Sequence, residues 1–190
     1  MAEAAAAEAV ERVMGERELH RSVQRLASEI VERLGDPSGY ALVGIVRGGW
    51  LLCQRLAEAI AALEGSRPQT GSLDITLYRD DLYTGIEKPV LGATHLPFGL
   101  NGRGVVLVDD VLFTGRTVRA ALDELMDYGR PRYIQLAVLI DRGHRELPIA
   151  PDFVGRRLDT AKGDRVVMAL REEGAPEDGV SRLRARGGGA

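Results

Sequence analysis

Two adjacent carboxylates, Asp109 and Asp110, close an apolar run in VVLVDDVLFTGRT (residues 105–117), and Thr114-Gly115-Arg116-Thr117 follows before a helical pattern resumes. A turn feeding a helix N-terminus presents free backbone N–H groups and the positive end of the helix dipole. Gly115 lets the backbone approach a ligand, Thr114 and Thr117 add hydroxyl donors, and Arg116 adds charge. That set suits a phosphate monoester. Neither GxxxxGK[ST] nor GxGxxG occurs, so this is not the usual triphosphate or dinucleotide loop. Acids that touched the phosphate would repel it, so they must serve another part of the ligand. Vicinal ribose hydroxyls fit, because carboxylate oxygens accept hydrogen bonds. The ligand so defined is a 5-phosphoribosyl group. The competing reading makes Asp109 and Asp110 caps of the next helix and Thr117 an ordinary first-turn residue.

Such residues need a frame that aims them at one point. Leu19, Val23, Leu26, Ala27, Ile30, Val31 and Leu34 recur at helical spacing, and Gly35 to Gly39 stops that helix. Tyr40–Val46 reads as a buried strand, Arg47-Gly48-Gly49 as a tight turn, and residues 50–63 as a second helix. Residues 72–78 alternate like a strand. The Gly-, Pro- and Thr-rich stretch that follows, about 78–101, is long enough to be a hairpin excursion or a functional lid. Val105–Val108 predicts the next strand, 117–128 a helix, Tyr133–Ile140 another buried strand, and 165–170 a weaker alternation. Apolar strands alternating with helices argue for an α/β fold with a parallel sheet covered on both faces. Ligands of such sheets sit at the carboxyl ends of the strands, and the charged turns at 47, 109 and 141 all follow such ends.

The 190 residues suit one domain, expected over 19–172, with an Ala-rich arm at 1–18 and a tail at 173–190 ending in Gly187-Gly188-Gly189. Net charge is −3, so the chain as a whole does not advertise nucleic acid, although a local basic face is compatible with that sum. One cysteine, Cys53, excludes an intrachain disulfide, and His20, His95 and His144 lack ligand spacing. No apolar run is long enough to span a bilayer, and the N-terminus lacks a signal-peptide pattern, so a cytoplasmic protein is expected.

VVLVDDVLFTGRT resembles the phosphoribosyl-pyrophosphate motif of type I phosphoribosyltransferases. With LDITLYRDDL (73–82) and VLIDRGHRELPIAPDFVG (138–155), the stretch from about residue 19 to 172 resembles one branch, the PyrR family of bifunctional pyrimidine operon attenuators and uracil phosphoribosyltransferases. The resemblance implies a Rossmann-like parallel sheet flanked by helices, with a flexible lid or hairpin and a small hood. It implies conversion of uracil and phosphoribosyl pyrophosphate to UMP and diphosphate. Asp109 and Asp110 would hold the ribose hydroxyls, and Val111, Leu112, Phe113, Thr114, Gly115, Arg116 and Thr117 the 5-phosphate. Val46 and Arg47 match the pyrophosphate loop, where Val46 and Gly49-Trp50 depart from the family's usual Thr-Arg-Gly pattern. Arg79 would swing in on the lid to the diphosphate, and Arg142 and Val166 would line the base and nucleotide site. Mg²⁺ would be held mainly by substrate oxygens and water rather than by a protein metal site. Asp141 and His144 read as residues that hold the turn after their strand.

The same resemblance implies a second partner, the leader of pyrimidine (pyr) messenger RNA, with UMP and UTP as effectors and a homodimer or higher homo-oligomer as the assembly; neither membrane nor DNA is expected. RNA affinity needs cations on one face. Arg21, Arg25, Arg142 and Arg145 are the leading candidates, with His20, Arg130, Arg132, Arg156 and Arg157 beside them. Arg21 and Arg25, four apart, share a helix face. Gln24 and Ser28 stand where relatives often carry threonine and histidine.

Overall fold

A computed structural model describes residues 10–75 and 94–185. Five strands form one parallel sheet in the order β3-β2-β4-β5-β6: β2 Tyr40–Ile45, β3 Gln69–Leu73, β4 Gly104–Leu112, β5 Tyr133–Asp141 and β6 Phe153–Arg157. Helices α1 (Glu16–Leu34) and α2 (Gly48–Glu64) cover one face, and α3 (Arg116–Asp127) the other. β4 shows why. Its Val106 and Val108 join the α1/α2 cluster, while Val105 and Leu107 join the α3 cluster, so the strand is apolar on both sides and reads as a continuous run. A second, antiparallel sheet, β1-β8-β7, is built from β1 Val10–Met14, β7 Arg165–Ala169 and β8 Gly179–Leu183.

Several boundaries differ from the sequence-based expectation. β4 continues four residues past Val108, so Asp109 and Asp110 lie within the strand and not beyond it; Asp109 pairs with Val138 and Leu112 with Asp141 of β5. α3 starts at Arg116 and α2 at Gly48, because the turns before them are tighter than the apolar periodicity shows. β3 occupies 69–73; its polar sequence QTGSL is extended because each residue pairs in register with β2. β6, a five-residue edge strand, carried no readable alternation. The arm expected at 1–18 and the tail expected at 173–190 both contribute to the fold: residues 10–14 and 179–183 pair across the small sheet, and α1 begins at Glu16. Met14 and Val180 from these two strands are buried in the α1/α2 cluster, which gives the pairing its apolar support.

The ends of the connection between β3 and β4 are anchored. Ser72 and His95 form an isolated antiparallel bridge, with N–H···O distances of 2.9 and 2.8 Å. The Asp74 amide donates to the Thr94 hydroxyl at 3.0 Å, and that hydroxyl donates to Glu124 on α3.

Candidate active site

The carboxyl end of β4 brings the expected acids together at the edge of the sheet. The Asp110 carboxylate lies against the start of α2, and the Asp109 and Asp110 side chains are within hydrogen-bonding reach of each other. Asp109 is buried, and its Oδ1 accepts from the Asp110 amide at 3.0 Å; Asp110 is half-buried, and its Oδ1 accepts from the Val111 amide at 2.8 Å. Neither contact caps α3, which removes the capping alternative. Burial pushes the Asp110 carboxyl above the ordinary range, against the opposing pull of the Val111 amide.

The β2–α2 turn closes on Asp110. The Val46–Arg47 peptide is cis, and Gly48 opens the helix. A Cβ on Gly48 would stand 2.4 Å from Asp110 Oδ2, and one on Gly49 would stand 2.4 Å from the Val108 carbonyl oxygen. Only glycine at both positions lets this turn lie against the acid-bearing strand. Arg47 is exposed beside it, and among the described residues no group bonds its guanidinium.

On the other side of β4, the phosphate-cradle residues form the expected turn. Gly115 is the N-cap of α3 with φ 94, a left-handed conformation that favours glycine. No side chain caps the helix. The Arg116 amide makes a long contact of 3.4 Å to the Thr114 hydroxyl. The first turn of α3 therefore keeps donors available for an anion. The Thr114 carbonyl accepts from the amides of Glu146 and Leu147 at 3.0 and 3.2 Å, which ties the turn to the loop after β5.

That loop borders a cavity of about 380 Å³ lined by Asp141, Arg142, Gly143, Arg157, Leu158 and Asp159. Val166 on β7 sits nearby at the half-buried margin of the α1/α2 cluster, as do Val111 and Leu158. Two arginines expected to face ligand or RNA here, Arg142 and Arg145, bond carbonyls of the loops around them, and Arg142 also lines the cavity. Arg142 is buried; it donates to the carbonyls of Asp164 (2.6 Å), Ala161 (2.9 Å) and Lys162 (3.3 Å), and its guanidinium lies 4.0 Å from the Phe113 ring centroid. Arg145 donates to the carbonyls of Phe113 (2.8 Å), Ile149 (3.0 Å) and Gly143 (3.0 Å) and pairs with Asp141. The terminal nitrogens of Arg142 and the guanidinium of Arg145 satisfy loop carbonyls, while the buried Nε of Arg142 has no partner among the described residues. His144, in a left-handed conformation with φ 58, bonds the Thr160 carbonyl at 2.7 Å, in keeping with a turn-holding role. Asp164 anchors the same turn. Burial raises its pKa, but the amides of Ala185 and Ala161 and the Arg182 guanidinium outweigh that and bring it down to about 2.

Of the α1 candidates, Arg25 pairs with Glu29 at 2.8 Å and donates to the Val154 and Gly155 carbonyls along the edge of β6, whereas Arg21 is exposed. Arg156 donates to the Val13 carbonyl at 2.6 Å. Arg79 lies outside the described residues. Three contributors were not singled out in the sequence. Gly48 carries only the signal of a generic turn. Glu146 bridges Arg116 (3.0 Å) and Lys162 (3.3 Å), a long-range pairing with no local signal. Glu124 is a buried acid on the apolar face of α3, and helical periodicity with Ala120, Ala121 and Leu125 would have flagged it.

A phosphoribosyl transferase domain family matches residues 13–172. A bifunctional protein PyrR of Roseiflexus sp. (strain RS-1) is 53% identical over 167 residues, covering 88% of this chain and 91% of that protein. One of Herpetosiphon aurantiacus is 55% identical over 168 residues, covering 88% and 94%. Among solved structures, an asparagine mutant from a study of an invariant aspartic acid in HPRTs superposes with a TM-score of 0.70 at 17% identity, over 91% of this chain and 92% of the other. A hypoxanthine-guanine phosphoribosyltransferase of Bacillus anthracis gives 0.61 at 16% identity, over 78% and 83%. These structural likenesses carry the type I phosphoribosyltransferase fold, and the sequence relatives carry more: the chain belongs to the PyrR family of phosphoribosyltransferases.

Proposed function

We propose that this chain is a pyr operon attenuation regulator with uracil phosphoribosyltransferase activity, converting uracil and phosphoribosyl pyrophosphate to UMP and diphosphate. The observation that carries the enzyme reading is the convergence at one sheet edge of an uncapped helix N-terminus, two adjacent carboxylates and a glycine turn bearing an open arginine. The α3 N-terminus takes the 5-phosphate. Asp109 and Asp110 take the ribose hydroxyls, and Arg47 faces the diphosphate. As the C1–O bond to diphosphate breaks, the ribose gains positive charge and the two carboxylates stabilise it. The bond from uracil N1 to C1 forms, and the N1 proton is lost. Arg79, on the connection at about 78–101, would reach the diphosphate and help exclude water from the cation-like centre. Uracil is read in the cavity beside Arg142, largely by backbone groups, with Val166 at its margin.

Among the described residues no three His, Cys, Asp or Glu side chains converge on a metal position. Mg²⁺ would arrive with the substrate, since this ion keeps several waters and needs only one or two carboxylates besides phosphate oxygens. Asp109 and Asp110 would supply that share, and the ion would neutralise diphosphate charge. Uridine nucleotides would occupy the same site as effectors of RNA binding, in a homodimer or higher assembly. Among the described residues no helix is long and apolar enough to cross a membrane.

The test is UMP formation from labelled uracil, phosphoribosyl pyrophosphate and Mg²⁺, with hypoxanthine as the control base and an Asp109→Asn/Asp110→Asn double variant alongside. The expected outcome is uracil-specific turnover that falls on the order of 10³-fold or more in the variant. Folded protein that binds UMP yet turns over no base would sink the enzyme reading and leave a nucleotide-sensing regulator.

A further inference from the structure

The turn between β6 and β7 shapes the cavity after β5. Leu158 and Asp159 line that cavity, and the carbonyls of Ala161, Lys162 and Asp164 hold Arg142, which lines it too. β7 begins at Arg165, so Val166 follows the turn directly. Residues 158–164 pair with no strand, and a wall of this kind keeps its shape only if side chains pin it.

Asp164 does the pinning. Its carboxylate is buried; Oδ2 accepts from the Ala161 amide at 2.8 Å and from Arg182 Nε at 2.7 Å, and Oδ1 accepts from the Ala185 amide at 3.1 Å. A second nitrogen of Arg182 stands 2.5 Å from Oδ2. The third reaches the Asp159 carbonyl at 3.3 Å, so one guanidinium spans the turn from Asp159 to Asp164. Arg182 lies on β8 and pairs in register with Val166 of β7. The chain beyond β8 also lies against the turn, because a Cβ on Gly163 would stand 3.0 Å from that of Ala185. Only an ionised carboxylate offers acceptors on both oxygens for this many donors; an amide would turn N–H groups toward one of them. Among the described residues neither Asp164 nor Arg182 bonds Arg47, Asp109, Asp110 or the turn at 114–117.

We propose that Asp164, clamped by Arg182 and the Ala185 amide, is a positioning residue for the base: it holds the turn and the entry to β7 so that the cavity beside Arg142 keeps the form that receives uracil. The proposal rests on the uracil reading above and gives the C-terminal strand a part in the base side of the site. The clamp touches the base side alone, so its loss should weaken contacts to the base and leave contacts to the phosphoribosyl group intact.

The experiment compares the full chain with Asp164→Asn, Arg182→Lys and Arg184→Ala. Steady-state UMP formation is measured, together with calorimetric titration of UMP and of ribose 5-phosphate, which offers the same phosphate and sugar without a base. Asp164→Asn and Arg182→Lys should each raise KM for uracil and Kd for UMP about tenfold, while KM for phosphoribosyl pyrophosphate and Kd for ribose 5-phosphate stay within about twofold. Arg184→Ala removes an exposed pair with Glu11 on the same strand and should move none of these. Equal losses for UMP and ribose 5-phosphate, with a lowered Tm, would overturn the clamp and make Asp164 a support of the fold alone. UMP affinity unchanged in both variants would overturn it as well, as would an unmodified chain that binds UMP no better than ribose 5-phosphate. An unmodified chain that prefers UMP yet turns over no base would sink the enzyme reading, and the difference between the two titrations would still decide the clamp.

Discussion

The phosphate edge and the base edge of the site are built on opposite plans. Around the β4–α3 and β2–α2 turns, donors are left outward: α3 has no side-chain cap, Gly48 and Gly49 thin the backbone, and Arg47 has no partner among the described residues. Around the loop after β5, the donors are turned inward, with Arg142 and Arg145 satisfying carbonyls of the loops they hold. A ligand can be bound only by groups whose hydrogen-bonding capacity is still open. Groups already satisfied keep a cavity in shape instead. The difference teaches that an arginine beside a site contributes through its donors or through its scaffold, and that its partners decide which.

The largest effect should come from closing the open edge. Gly48→Ala drives a methyl into the Asp110 carboxylate, so UMP formation should fall on the order of 10²-fold with little change in Tm, read by steady-state kinetics and thermal denaturation. Near-normal turnover would mean that Asp110 tolerates displacement, and the comparison would lose its catalytic half.

Removing a scaffold arginine should act on the fold first. Arg142→Ala strips three carbonyls of their donor and should cost about 2 kcal/mol, a Tm drop of roughly 4–8 °C, with KM for uracil rising more than kcat falls. A variant with unchanged Tm but lost RNA affinity would place Arg142 among outward-facing groups and break the contrast.

The smallest effect belongs to the link between the two edges. Glu146 is held below the usual carboxylate range by its bond to Arg116 and then by Lys162. A depressed folded-state pKa stabilises above the ordinary glutamate value, and the contribution fades as pH falls through the folded value. Glu146→Gln should therefore lower Tm by no more than about 2 °C at pH 7, with the difference vanishing at strongly acid pH. A difference that persisted in acid would trace to packing and not to charge.

Much of this was legible beforehand. The two acids, the glycine turn and the apolar strands carry local signals of type and spacing, and the family motifs placed them on a known frame. What stayed hidden was set by distant partners. Nothing near Arg142 announces that residues 161–164 return to meet it. β3 and β6 are extended because neighbours pair with them, and their own residues did not say so. Glu124 is a separate case, a polar residue on an apolar helix face whose burial was readable but not its bond to Thr94. That burial pushes its carboxyl above the ordinary range.

The pairing of β1 with β8 sets an order of assembly. Glu11 and Arg184 are 173 residues apart in sequence yet bond at 2.7 Å, and the strand beside them has no other neighbour in its sheet. During synthesis β1 leaves the ribosome long before β8 exists. The parallel sheet and its phosphate edge can form while the β1 segment still waits unpaired. The small sheet closes only after residues 179–183 have been made, so the last strand completed fastens the first.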